Sequence, residues 1–185
     1  MSRRRIVDRL EALDCARRLF AEQGYESVSM RKIATELGYT HKALYYHFID
    51  KADLIRQLLD RDVAWMHSEL TASCGKGART FLLHWMRLGL DHPRHHQLLF
   101  DGDPPGLGTY PREKREELFR LLAAAWGEGE GVFNPAARKR AWFSYLAVRG
   151  WISQHTADGL SWEACEESAE EFVEMVLKGL TEEGE

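Results

Sequence analysis

The stretch "GYTHKALYYHF", residues 38–48, places three tyrosines, two histidines and a lysine in eleven positions, and only Ala43, Leu44 and Phe48 are plainly apolar. On a helix over 41–48, steps of about 100° per residue set Leu44 and Phe48 side by side and turn Lys42, Ala43 and Tyr46 the other way. An amphipathic core helix accounts for Leu44 and Phe48 but leaves the tyrosines and the lysine unused. The segment reads as a helix held down by two residues, offering aromatic and cationic groups outward.

Its flanks supply the frame. Residues 4–22 carry Ile6, Leu10, Leu13, Ala16 or Arg17, and Phe20 at helical steps, and Gly24 follows as a stop signal. Ser29 is placed to cap a second helix, 30–37, whose Met30, Ile33, Ala34 and Leu37 share one stripe before Gly38 ends it. Thr40 is placed to cap a third helix at 41–47, and Asp50 a fourth from Lys51, with Asp53 answering as in a capping box. Two short helices separated by only Gly38, Tyr39 and Thr40 must cross steeply, which is a helix-turn-helix. The second helix of that unit enters the DNA major groove. Leu44 and Phe48 then form the seam towards the first two helices. His41, Lys42 and Ala43 are placed to meet bases, the small Ala43 being able to touch a thymine methyl, while Tyr45, Tyr46, His47 and Lys51 can reach phosphates.

Residues 19–54, "LFAEQGYESVSMRKIATELGYTHKALYYHFIDKADL", resemble the DNA-binding domain of TetR/AcrR-family transcriptional regulators. The "LFAEQGYES" end of helix one, the Ser29 start, the Gly38 turn, "LYYHF" and "DKADL" fall at family spacing. The resemblance implies DNA contacts at Ser29, Arg31, His41, Lys42, Ala43, Tyr45, Tyr46, His47 and Lys51. Ile49 stands where a basic residue is common in the family. It further implies an all-α chain of about nine helices: a three-helix head at 1–51, and a ligand-binding and dimerisation domain at 52–185. The function expected is a homodimeric repressor, released from near-palindromic operator DNA by a small hydrophobic or acyl-type effector. The alternative is an all-helical ligand carrier or enzyme with a vestigial head, but such a head would be expected to lose exposed Lys42, Tyr46 and Lys51.

In the remainder, helical patterns run from Lys51 to about Leu70, over about 76–91 and 111–127, from Pro135, and over about 161–181. "AWFSYLAVRGWI", 141–152, is apolar nearly all round and must be covered on more than one side. With the following helix, where Cys165, Ala169, Phe172, Val176 and Leu180 recur every three or four residues, it suits a two-fold four-helix bundle between protomers. "WFSYLAVRGWISQHTADG" also resembles the WHG-type C-terminal domain of some TetR regulators, with Arg149-Gly150 where that domain has a His-Gly pair. Met66, Trp85, Met86, Leu99, Phe100, Phe119, Trp142, Tyr145 and Arg149 are the candidate pocket residues. The aromatics serve equally well as bundle core. Arg149, in an otherwise apolar helix, needs a carboxylate, a carbonyl or an acidic ligand such as an acyl-CoA.

Charge agrees with this division. Residues 1–51 hold ten Lys or Arg against seven Asp or Glu, whereas 52–185 hold fifteen against twenty-two, so phosphate contact belongs at the N-terminal end. No apolar run approaches the roughly 20 residues of a membrane helix, and no apolar segment follows Ser2-Arg3-Arg4-Arg5, so the expectation is a cytoplasmic protein without a membrane partner. Cys15, Cys74 and Cys165 are scattered and odd in number, which fits free thiols. His92, His95 and His96 have only Asp91 beside them, and adjacent histidines diverge on a helix, so no metal is expected. The glycines of 102–108 and 75–77 lack the Lys-Ser/Thr of a P-loop. No catalytic constellation is legible, and neither cofactor nor enzymatic activity is expected.

Overall fold

The computed structural model describes residues 8–102, 104, 106–127 and 134–181, and every regular element among them is helical. Residues 4–7 of the expected first helix, and Asp103 and Pro105 of the glycine-rich turn, lie outside the described residues. Helix α1 spans Arg9–Ser27, capped by Asp8, whose carboxylate accepts from Leu10 N. Gly24 breaks it at φ 78°, ψ 160°, so the expected stop is there, but one further turn carries Tyr25 back towards the core. Helix α2 is Met30–Glu36, with Ser29 Oγ accepting from Lys32 N at 3.2 Å. Gly38, at φ 72°, makes the turn that a side chain would strain.

Helix α3 is only His41–Leu44, shorter than the expected 41–47. Thr40 makes no side-chain cap, and His47 N and Phe48 N both bond back to Leu44 O, so Tyr45 to His47 form a turn that lowers Phe48 into the core. Helix α4, Lys51–Cys74, is capped by Asp50, which accepts from Asp53 N at 2.7 Å. Asp53 returns a bond to Ile49 N, one residue earlier than a capping box has it. The helix outruns the expected end near Leu70 because Leu70 and Ser73 are still buried.

The body continues with α5 (Gly77–Asp91), α6 (Pro93–His96), a π-helical turn (Gln97–Asp101), α7 (Tyr110–Trp126), α8 (Pro135–Ala157) and α9 (Trp162–Thr181). Helix α4 packs on α1 and also on α5 and α7, so one apolar cluster runs from Ala12 to Val173, and the expected boundary at 51/52 falls on the first residue of a shared helix. A buried ion pair fastens the joint. Arg17 Nε donates to Asp62 Oδ2 at 3.0 Å, Arg17 Nη2 donates to Asp62 Oδ1, and Arg17 Nη1 reaches Asp14 at 2.7 Å. Burial works against the Arg17 charge, but the hydrogen bonds and charges of Asp62 and then Asp14 outweigh it and raise its pKa. Helix α5 meets α8 closely at Gly89, where a Cβ would stand 2.6 Å from Ile152 Cγ2.

Candidate nucleic-acid interface and effector cavity

The outward side of the head follows from which side chains α1, α2 and α4 can bury. Leu44 and Phe48 are 0% and 1% exposed, as the seam requires, whereas Tyr46 is 79% and Tyr45 50% exposed. His41 and Lys42 are exposed, Ala43 and His47 half-buried. His41 rests edge-on against Tyr45, with ring centroids 6.2 Å apart, which orders both at the tip of α3. Arg31 is exposed on α2, and Ser29 is engaged as its cap. Lys51 differs from the rest: its Nζ donates to Tyr25 O and lies 5.9 Å from the Phe20 ring centroid, so much of its charge is turned into the head. Ile49, 82% exposed, presents hydrocarbon on the same surface.

In the body, Leu70, Phe81, Trp85, Phe100, Leu118, Phe119, Leu122 and Tyr145 enclose an apolar cavity between α4, α5, the π-helical turn, α7 and α8. It leaves about 10 Å³ for the centre of a water-sized sphere, room for one water at most, so any larger occupant must part its walls. Four of the sequence candidates meet here: Trp85, Phe100, Phe119 and Tyr145. Met66 and Met86 are fully buried but not on the cavity wall, and Leu99 is likewise core. Trp142 is 50% exposed, stacked on the outer side of Tyr145 at 5.6 Å. Arg149 has found a carboxylate: its Nε lies 3.3 Å from Asp101 Oδ1, and Ser153 Oγ donates to the same group at 3.0 Å. Leu70, Phe81, Leu118 and Leu122 were not among the candidates. The i, i+4 pairs Phe81–Trp85 and Leu118–Leu122 carry the signal, although any core helix shows the same one.

The π-helical turn joins the two regions. Phe100 lines the cavity, and two residues earlier Leu98 O accepts from Tyr25 OH at 3.3 Å. Tyr25 packs on Phe20 at 5.1 Å and gives its own carbonyl to Lys51. Across the same joint, His92 and His95 both pack on Trp65 of α4.

A head with an outward third helix, carried on a helical body by one long shared helix, defines the class: a helix-turn-helix regulator. Residues 12–58 match the pattern described as "Bacterial regulatory proteins, tetR family". The chain is similar to the HTH-type transcriptional repressor AcnR of Corynebacterium diphtheriae, 38% identical over 49% of this chain and 44% of that one. It is similar also to AcnR of Corynebacterium glutamicum, 31% identical over 71% and 63%. It thus spans between two fifths and two thirds of the length of those relatives. Among solved structures it shares the fold of the transcriptional regulator FadR from Bacillus subtilis in complex with stearoyl-CoA, with TM-score 0.72, 16% identity and coverage of 90% of this chain and 97% of that one. AibR in complex with isovaleryl coenzyme A and operator DNA matches at TM-score 0.72 and 19% identity, over 90% and 96%. The chain belongs to the tetR family of bacterial regulatory proteins.

Proposed function

We propose that the protein is a homodimeric transcriptional repressor that binds a near-palindromic operator and leaves it when a small apolar or acyl-type ligand enters the body. The observation that carries this reading is the outward face of α3 and the turn after it, where Lys42, Tyr45 and Tyr46 are exposed above a seam of Leu44 and Phe48. A surface of cation, phenol hydroxyls and imidazole suits base edges and phosphates. His41, Lys42 and Ala43 are assigned to bases; Ser29, Arg31, Tyr45, Tyr46 and His47 to the backbone. Lys51 retains donors for a phosphate, but its first duty is to Tyr25.

The effector half of the reading is supported by the enclosed aromatic cavity and by the acyl-CoA complexes of two proteins of like fold. A ligand that parts the cavity moves Phe100, and the π-helical turn passes that shift through Tyr25 to α1 and the start of α4. The ligand changes DNA affinity only if it binds the two head positions unequally. Selection of bound DNA from a random pool by the purified chain, with and without acyl-CoA thioesters, tests both halves. An enriched palindrome that is lost on adding a thioester is the expected result; no enriched sequence without ligand overturns the regulator reading.

A further inference from the structure

Two hydrogen-bonding groups stand unused beside the apolar cavity. Trp85 is 3% exposed and His96 2%, and among the described residues neither Trp85 Nε1 nor His96 Nε2 has a hydrogen-bond partner. Buried polar atoms are nearly always satisfied, and an unsatisfied one costs stability that phenylalanine at either position would not. The chain uses phenylalanine nearby at 81, 100 and 119, yet keeps an indole and an imidazole here. Both rings belong to one aromatic cluster. The Trp85 centroid lies 6.4 Å from His96, 5.3 Å from Phe100 and 5.8 Å from Tyr145, and His96 lies 4.8 Å from Phe100. Trp85, Phe100 and Tyr145 are themselves cavity walls.

We propose that Trp85 Nε1 and His96 Nε2 form the polar end of the effector site and together hold one uncharged oxygen, a carbonyl or a hydroxyl, at the head of an apolar ligand. This rests on the reading of the body as an effector-binding domain. A carbonyl oxygen has two lone pairs and accepts from both nitrogens when His96 carries its proton on Nε2. A hydroxyl accepts from Trp85 and donates to His96 when the proton is on Nδ1. Burial pushes the His96 pKa down to about 4, with Asp101 pulling it up and Arg149 pushing it further down, so the imidazole is neutral at physiological pH. Among the described residues no cation lines the cavity, and Arg149 is held by Asp101, so a carboxylate in the same place would be buried without a counter-charge. A ketone, an ester or thioester carbonyl, or an alcohol meets the chemistry; a free acid does not.

The test uses four probes of nearly equal size, ethylbenzene, acetophenone, 1-phenylethanol and benzoate, titrated calorimetrically into the full-length chain, Trp85→Phe and His96→Phe. The quantity read is the affinity for acetophenone or phenylethanol relative to ethylbenzene. That ratio should fall about 10-fold in each variant while ethylbenzene affinity holds, since one hydrogen bond to the oxygen is lost. Benzoate should bind weakest to the unaltered chain. Which of ketone and alcohol is favoured identifies the His96 tautomer in use. Both variants should melt no lower than the unaltered chain. Should either fail to fold, the indole N–H resonances of the unaltered chain give an independent reading: one should move downfield with acetophenone and not with ethylbenzene. A ratio equal in all three proteins, or no indole shift, overturns the polar pair and leaves an apolar effector cavity standing. Failure of all four probes to bind overturns the pair and the effector reading of the cavity together.

Discussion

Two lysines near the DNA-facing surface have opposite surroundings, and their alanine variants should part accordingly. Lys42 is exposed on α3, so Lys42→Ala should leave the melting temperature unchanged, weaken operator binding, relax base preference and lower the salt slope by about one. Lys51 donates to Tyr25 O beside Phe20, so Lys51→Ala should lower stability by about 1 kcal/mol, the contribution of a charge-assisted bond reduced by partial exposure. Equal melting curves for Lys51→Ala and the parent would show that the lysine is free for phosphate. A third residue gives the chain a pH dependence. His96 takes a proton near 6.5 when unfolded but only near 4 when buried, so between those values the unfolded state binds more protons. Stability is therefore full above about pH 6.5 and falls as pH drops towards 4, by about 3 kcal/mol in all. Denaturant titrations at pH 7.5 and 4.5 should show His96→Phe losing less stability than the parent by an amount of that order.

At the scale of helices, the α5–α8 crossing is set by the missing side chain of Gly89. A Cβ there would lie 2.6, 2.8 and 3.1 Å from three atoms of Ile152, and a helix backbone cannot move aside alone. Gly89→Ala should cost about 1–3 kcal/mol by overpacking, and Ile152→Ala in the same chain should cost much less than the two single changes added. Strict additivity in denaturant titrations would place the strain elsewhere. The sequence exposed the long helices and the head because their apolar periods are regular and their ends carry caps: Ser29, Asp50 and Gly38 all act where the pattern put them. It misjudged α3 because 3.6-residue spacing links Leu44 to Phe48 equally in a helix or in a turn folded back on Leu44 O. "HPRHHQLLF" gave no pattern, since a π-helical turn shifts the apolar positions by a residue. The cavity was half legible. Trp142 and Tyr145 look alike along the sequence, three residues apart, and both reach Phe119 of α7, yet one is 50% and the other 9% exposed, because only Tyr145 turns inward onto Trp85 and Phe100.

For the whole molecule, we assign the proposed switch to Tyr25, where the π-helical turn, α1 and the start of α4 meet. Tyr25→Phe keeps the ring on Phe20 and removes the bond to Leu98 O. Operator affinity without ligand should change little, while the loss of affinity on adding an inducing acyl-CoA should shrink several-fold. An unaltered ligand response would route the coupling elsewhere, for instance through His92 and His95 on Trp65. The proposed switch also needs two heads, and we assign their joining in the proposed dimer to the outer face of α8. Phe143 and Leu146 are 44% and 45% exposed, Gly150 continues the stripe with nothing within 4 Å of its Cβ position, and on α9 Met175 is 66% exposed. Apolar side chains at three- and four-residue steps, with a glycine that permits close approach, fit a two-fold helix pair. Phe143→Glu with Leu146→Glu introduces four like charges across such an interface but touches no core residue. Sedimentation should then find a dimer for the parent and monomers for the double variant, with an unchanged far-ultraviolet spectrum. Operator affinity should fall by about 100-fold or more, because one head loses the advantage of the second being tethered. A double variant that still sediments as a dimer would move the interface off α8.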